Sequence, residues 1–127
     1  MGTARAQLSA EALLVFLIFI IVLGISYSAT VRIGAAAQEK VQLTLSKNSF
    51  STLVSKIEQC CTLGSGNIRT VEINGNPASL SSSGKTLSFA TPSFNSTAAF
   101  SCEIEVLQEL PSKGFRVENA EGKITIS

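Results

Sequence analysis

The sequence predicts an α+β protein in which one long N-terminal helix packs on a small antiparallel β-sheet. Two observations carry this prediction. Between Ser9 and about Thr62 the chain has no proline and only two glycines, as an uninterrupted helix of about 50 residues requires. Beyond Gly66 the pattern changes to short runs in which apolar and polar residues alternate, which is typical of strands with one buried face.

The composition excludes several classes of function. The chain has 127 residues, which suits one small domain and an appendage, and its net charge of +1 gives no electrostatic basis for nucleic-acid binding. It has no histidine, which excludes histidine-based triads and histidine-containing metal sites. Residues 83–86 read SGKT, as at the end of a phosphate-binding loop, but Ser79 stands where that motif requires glycine. We therefore expect neither enzymatic activity nor a cofactor.

The first half of the predicted helix is apolar on every side. An unbroken apolar run extends from Ala12 to Leu23, and milder interruptions carry it on to Val31. As a helix, residues 12–31 would measure about 30 Å, which is enough to cross the hydrocarbon core of a bilayer. Because Arg5 precedes the run, we expect the N-terminus to face the cytoplasm and the C-terminal part to face outward.

A removable secretory signal is the alternative interpretation of this run. Small residues at 26–29 offer a cleavage site after Ser28. Two features favour a retained helix instead. Glu11 interrupts the usual order of a basic residue followed by an apolar run, and helix-forming residues continue past the supposed cleavage site.

The second half of the helix, residues 38–62, carries an apolar stripe that should pack on the C-terminal sheet. Cys60 lies on the flank of this stripe. Val41 and Leu45 lie on the opposite face, either as ordinary exposed apolar residues or as a surface between subunits. The stripe consists of Leu43, Phe50, Leu53, Val54, Ile57 and Cys61.

Residues 63–127 predict a β-rich head of four or five antiparallel strands. The clearest strand is 98–107, and a terminal hairpin is expected around 120–122. Asn74 and Gly75 form a dipeptide that is typical of hairpin turns. The other predicted strands are 67–74, 84–92, 114–119 and 123–127, and the residues of 98–107 that share the inward face are Phe100, Cys102, Ile104 and Val106.

The three cysteines of an exported chain suggest one disulfide and one free thiol. Cys102 points inward on its strand, and Cys61 lies in the middle of the helix stripe. A Cys61–Cys102 bond is therefore preferred, with Cys60–Cys102 as the alternative. Such a bond would fasten the helix to the sheet and close a loop of about 40 residues. In the chain-entropy model it would stabilise the fold by about 3–4 kcal/mol.

The triplet Asn95-Ser96-Thr97 is an N-glycosylation sequon in what reads as a polar loop. Such triplets also arise by chance. Export of the head and a position in a loop favour Asn95 as a glycosylation site.

Residues 5–11 read RAQLSAE and lead directly into the apolar run. They resemble the processing region of archaeal type IV pilins with a class III signal peptide. The pattern of that family is a basic residue, a small residue and then Q-x-S-x-E, which Gln7, Ser9 and Glu11 match here. Ala6 stands where glycine is more usual in the family.

The resemblance implies that a membrane prepilin peptidase cuts between Ala6 and Gln7 and that the helix stays in the mature protein. The subunit would be anchored in the membrane until an assembly ATPase and a membrane platform add it to an extracellular helical homopolymer, a pilus for surface adhesion. The implied segments are a leader at 1–6, a helix at 7–62 with its membrane and filament-core part at 12–31, and a head at 63–127.

The resemblance also implies a role for Glu11, which would pair with the new N-terminal amine of Gln7 on a neighbouring subunit. Elementary electrostatics is compatible with that role. A carboxylate costs about 3 kcal/mol at the bilayer centre on insertion scales, but less at the start of a helix, where the helix dipole favours an anion. A minor pilin-like protein, or a membrane-anchored extracellular binding module that does not form the bulk filament, is the alternative function.

Overall fold

The computed structural model describes residues 2–108 and 110–127, and for 2–8 it describes the backbone only. Met1 and Glu109 lie outside the described residues. The chain divides into two compact units, Met1–Gln38 and Glu39–Ser127. The elements in chain order are α1 (Gly2–Leu63), β1 (Ile68–Glu72), β2 (Ser79–Ser83), β3 (Thr86–Thr91), β4 (Phe94–Ala99), β5 (Glu103–Val106), β6 (Gly114–Ala120) and β7 (Lys123–Ile126).

The predicted α+β class is confirmed, since one long N-terminal helix packs on small β-sheets. The described strands form a four-stranded sheet in the order β1-β6-β7-β5 and a three-stranded sheet in the order β2-β3-β4. The prediction of four or five antiparallel strands is wrong in two respects, because the described residues form seven strands and because β5 and β7 pair in parallel. The sequence does not predict strand β2, because its residues, SLSSS, are mostly serine, which is not typical of strands.

One of the predicted turns has a different outcome. The Asn74-Gly75 dipeptide does not close a hairpin, because β1 pairs with β6 rather than with the next strand. Gly75 instead allows a close approach of this loop to α1. A Cβ atom on Gly75 would lie 2.7 Å from Gln42 Oε1 and 3.3 Å from Leu45 Cβ. Leu45 is thus half-buried by its own chain, whereas Val41 is 55% exposed.

The terminal hairpin forms as predicted, whereas the hairpin between β2 and β3 is not predicted by the sequence. Residues 83–86, the SGKT run, make the turn between β2 and β3, with Ser83 opposite Thr86. The terminal hairpin has Glu121 and Gly122 at its two central positions, with φ of 54° and 86°. Two positive φ angles define a type I′ turn, whose twist matches that of paired strands.

The buried face of α1 is rotated by about 60° on the helical wheel from the predicted stripe. Cys60, predicted on the flank, is completely buried, whereas Cys61 is only partly buried. The rotation arises because two serines lie on the buried face, where the sequence pattern favours apolar residues. The buried residues of α1 are Ser46, Ser49, Leu53, Ile57 and Cys60.

Polar partners in the head explain those serines. Ser49 Oγ accepts a hydrogen bond from the Asn74 backbone N–H at 3.0 Å. Ser46 Oγ lies 3.3 Å from Thr91 Oγ1. Ser49 therefore lies against the loop after β1 and Ser46 lies against the end of β3, and neither hydroxyl is buried without a partner.

The hydrophobic core lies between the C-terminal half of α1 and the inner faces of both sheets. Phe50, Phe89 and Phe94 form a triangle with ring centroids 5.4 to 6.2 Å apart, which joins the helix to β3 and β4. Leu53 and Ile57 are completely buried among the strands. The largest buried residues of the sheets are Phe89, Phe115, Leu80, Leu87, Ile124, Ile126, Val71 and Val117.

Candidate functional site

The predicted processing motif lies at the start of α1. The side chains of Ala6 and Gln7 lie outside the described residues, so their role stays a prediction. Ser9 and Glu11 are described, and both are exposed on the helix. The ion pairs between described side chains are Arg116–Glu118 and Lys123–Glu105, and Glu11 belongs to neither.

The apolar segment that follows, residues 12–31, has an exposed side chain at every position. Eleven consecutive large apolar residues, from Leu13 to Leu23, are between 49% and 66% exposed. Within α1 this segment is long and apolar enough to cross a membrane, with a mean hydropathy of 2.6 over its best window of 18 residues. An exposed apolar surface of this extent marks contact with lipid or with other protein.

Two glycines, Gly24 and Gly34, lie in this unit of α1. A Cβ atom on Gly24 or Gly34 would meet nothing within 4 Å in the described residues, apart from the helix itself. Glycine in a helix interior costs about 1 kcal/mol relative to alanine. Small residues on apolar helices let neighbouring helices approach closely.

The disulfide joins Cys61 near the end of α1 to Cys102 just before β5, with the two Cα atoms 5.9 Å apart. This is the pair that the helix and strand periodicities favour, and the alternative bond through Cys60 is not formed. The bond spans 41 positions of the chain and fastens the helix to the four-stranded sheet.

Cys60 is a free thiol and is completely buried in the core. Burial raises the pKa of the Cys60 thiol above its usual value, and the positive charges of Arg69 and Lys56 offset part of that rise. The thiol therefore stays protonated at neutral pH. A protonated, buried thiol is a poor nucleophile, so Cys60 does not compete for the disulfide of its neighbour.

Asn119 is a structural residue that the sequence interpretation missed. Its side chain is 2% exposed, and its Nδ2 donates a hydrogen bond to the Cys60 carbonyl at 2.7 Å. Its Oδ1 accepts a hydrogen bond from the Gly122 N–H at 3.1 Å. Asn119 thus ties the end of α1 to the last hairpin. The strand alternation holds the signal, because it places this polar residue on the same face as Phe115 and Val117.

The predicted glycosylation site has a different setting from the one expected. Asn95 lies in strand β4 and not in a loop. The misreading arises because the run of polar residues 95–97 has no apolar alternation. Asn95 and Thr97 are both exposed, while Ser96 between them is half-buried.

No protein-family model matches this chain, and neither does any curated protein or solved structure. The resemblance to archaeal type IV pilins therefore stands on the residues of the processing motif and on the compatible fold.

Proposed function

We propose that this chain is a structural subunit of an archaeal type IV pilus. In this proposal the chain is cut between Ala6 and Gln7 and then polymerises through its apolar helix. The observation that carries the proposal is the contrast within α1. One uninterrupted helix packs on the head through its C-terminal half and leaves residues 12–31 exposed on every side.

Polymerisation accounts for that contrast better than a plain membrane anchor does. An anchor needs apolar residues, but it has no need of glycines that nothing else in the described residues approaches. In a filament core the same residues would face other helices, and Gly24 and Gly34 would let those helices come close. Before assembly the segment would hold the subunit in the membrane, with the N-terminus in the cytoplasm and the head outside.

The processing motif supports the same function. Cleavage before Gln7 would create a free amine at the start of the helix, four positions from Glu11. In a filament core, Glu11 would need a cation, and the amine of a neighbouring subunit would supply it. A buried pair of this kind is better suited to fixing the register between subunits than to adding stability.

The first test is the mature N-terminus. Mass spectrometry of the chain isolated from its native membrane or filament should show that it begins at Gln7. A mature chain that begins at Ala29 would indicate ordinary secretion and would exclude the proposal. Partners implied by the proposal are further copies of the chain, a prepilin peptidase, an assembly ATPase and its membrane platform.

The second test is the role of Glu11. We expect Glu11→Ala to lower filament yield by more than about tenfold, because an unpaired buried amine costs about 3–5 kcal/mol and each 1.4 kcal/mol is a factor of ten. Cleavage at Gln7 should continue. Glu39→Ala is the matched control, since Glu39 is an exposed glutamate on the same helix, and it should leave the yield unchanged.

Filament yield of the unmodified chain separates this function from its alternative. Filaments built mainly of this chain would identify it as the bulk subunit. A chain that begins at Gln7 but forms no bulk filament would instead be a minor pilin-like protein or an anchored binding module. Normal filament yield in Glu11→Ala would contradict the proposed pairing even if the N-terminus is correct.

A further inference from the structure

Strand β4 is an edge strand that lacks the usual protection. It ends the three-stranded sheet, and within the described residues it pairs with β3 alone. Residues 94–99, with the sequence FNSTAA, contain no charge and no proline. Exposed edges without charges, prolines or bulges are templates for pairing with another chain.

The edges of the other sheet are better protected. Strand β1 carries Arg69 and Glu72, both exposed, and strand β5 carries Glu103 and Glu105. Charged side chains on an edge oppose the docking of a second strand because they would have to lose water. Since the remaining edge strand, β2, lies beside β5, with the Val106 N–H donating to Ser82 Oγ at 3.1 Å, β4 is the unguarded edge of the head.

The sequon residues Asn95 and Thr97 lie on the outer face of β4. Phe94 lies in the aromatic triangle of the core, so the alternation of the strand places Asn95 and Thr97 on the opposite, outer face. Their partners on β3 are small, with Ala90 opposite Asn95 and Ser88 opposite Thr97. A shallow open depression of about 420 Å³ lies over these residues, so no bulky side chain covers the Asn95 amide.

The sequence restricts modification to this one position. The chain has six asparagines, and only Asn95 is followed at the second position by serine or threonine. Asn119 is buried, and Asn48 is exposed but lies outside any sequon. The only acceptor sequon thus coincides with the unguarded edge.

We propose that Asn95 carries an N-linked glycan that covers the β4 edge and prevents pairing between heads. The proposal depends on the outward location of the head in the proposed function, because that is where the transfer would take place. A glycan on the outer face next to a free edge leaves the hydrogen bonds between β3 and β4 in place. It excludes a second strand by its bulk and its hydration.

The donor in the transfer is an oligosaccharide on a polyprenyl phosphate or pyrophosphate. Asn95 Nδ2 attacks the anomeric carbon of the first sugar, and a carbon–nitrogen bond forms. The bond between that carbon and the phosphate oxygen breaks, and the lipid phosphate leaves with the electron pair. A base of the transferase takes the proton that the amide nitrogen loses, so the transfer involves no oxidation or reduction.

The first experiment is mass spectrometry of the chain isolated from its native source. After reduction of the Cys61–Cys102 disulfide, cleavage after Lys85 and Lys113 yields the peptide 86–113, which contains Asn95. We expect this peptide to carry a sugar mass that fragmentation assigns to Asn95. Thr97→Ala should abolish the added mass, Thr97→Ser should keep it, and Asn48→Gln should leave it unchanged. An unmodified peptide 86–113 from the native chain would overturn the proposal.

The second experiment tests the covering role. We expect Thr97→Ala to self-associate through β4, which would appear as a larger species in light scattering and as slower hydrogen exchange of the β4 amides. Thr97→Lys also removes the sequon but adds a charge to the edge, so it should behave like Thr97→Ser. If Thr97→Ala shows neither change, the glycan does not guard the edge.

These outcomes are separate from those of the pilin proposal. A chain that begins at Gln7 with a bare Asn95 refutes the glycan alone. A glycan on Asn95 in a chain that begins at Ala29 refutes the pilin function and leaves the modification standing.

Discussion

The two halves of α1 share one backbone conformation but have opposite environments. Every side chain from 9 to 41 is exposed, whereas the second half buries Leu53, Ile57 and Cys60 completely. Apolar content does not explain the difference, because the first half is the more apolar of the two. The explanation lies in the pattern. The second half has one apolar face, which one sheet covers, and the first half has apolar residues on all sides, which need neighbours all round.

This comparison separates the half of α1 that packs on the head of the same chain from the half whose side chains are exposed. The second half is held by its own head, so its residues should matter to the stability of the isolated chain. The first half has no such partner in the described chain, so its residues should matter to membrane insertion and assembly. Head stability can be measured on the full chain in detergent by hydrogen exchange of strand β6, and assembly can be measured by filament yield.

The largest expected effect is the loss of the Cys61–Cys102 disulfide. A bond that closes a loop of 41 positions is worth about 4 kcal/mol in the chain-entropy model, so reduction should lower the unfolding free energy of the head by about that amount. Cys102→Ala should show the loss without reductant and no further loss with it. Cys60→Ala should still respond to reductant, because the free thiol takes no part in the bond. An unchanged response in Cys102→Ala would contradict the assignment.

The next effect compares the same substitution in the two halves of the helix. Ile57 is completely buried and Ile21 is 53% exposed. We expect Ile57→Ala to destabilise the head by about 3 kcal/mol, because it leaves a cavity in the core. Ile21→Ala should leave hydrogen exchange of β6 unchanged and lower filament yield instead. Equal destabilisation of the head by both variants would contradict the claim that only the second half of α1 stabilises the head.

The sequence predicts those features of the fold that depend on periodicity. The predicted Cys61–Cys102 bond is formed, although Cys102 lies between β4 and β5 and not within one continuous strand 98–107, and Cys61 lies on the flank of the buried helix face. The orientation of the helix is less well predicted, since Ser46 and Ser49 lie in the core. Their hydroxyls find partners in Thr91 and Asn74, which only the fold brings near.

Features that depend on distant pairing are not visible in the sequence. The parallel pairing of β5 with β7 joins residues that lie about 20 positions apart and has no local signal. Strand β2 lacks strand-forming residues and is held by β3 and β5. For the candidate site, the sequence alone indicates the apolar segment and the motif around Glu11. It does not indicate that Asn95 lies at the edge of a sheet.

The smallest expected effect is a stabilisation of the head by a substitution in its terminal hairpin. Glu121 is the one described non-glycine residue with a positive φ, at 54° in the type I′ turn. Asparagine tolerates that conformation better than glutamate does, so Glu121→Asn should stabilise the head by about 0.5–1 kcal/mol. Glu121→Gln removes the same charge but keeps a long side chain at that φ, and it should have no effect.

The stabilisation of this turn should extend beyond the hairpin to the end of α1. The Gly122 N–H of this turn donates to Asn119 Oδ1, and Asn119 Nδ2 holds the Cys60 carbonyl of α1. A more stable turn should therefore slow the hydrogen exchange of amides near Cys60 as well as those of β6 and β7. Amides of residues 12–31 should exchange as before, because the side chains of this segment are exposed. Protection that spread into 12–31 would show that the two halves of the helix are coupled and would require a different account of the exposed one.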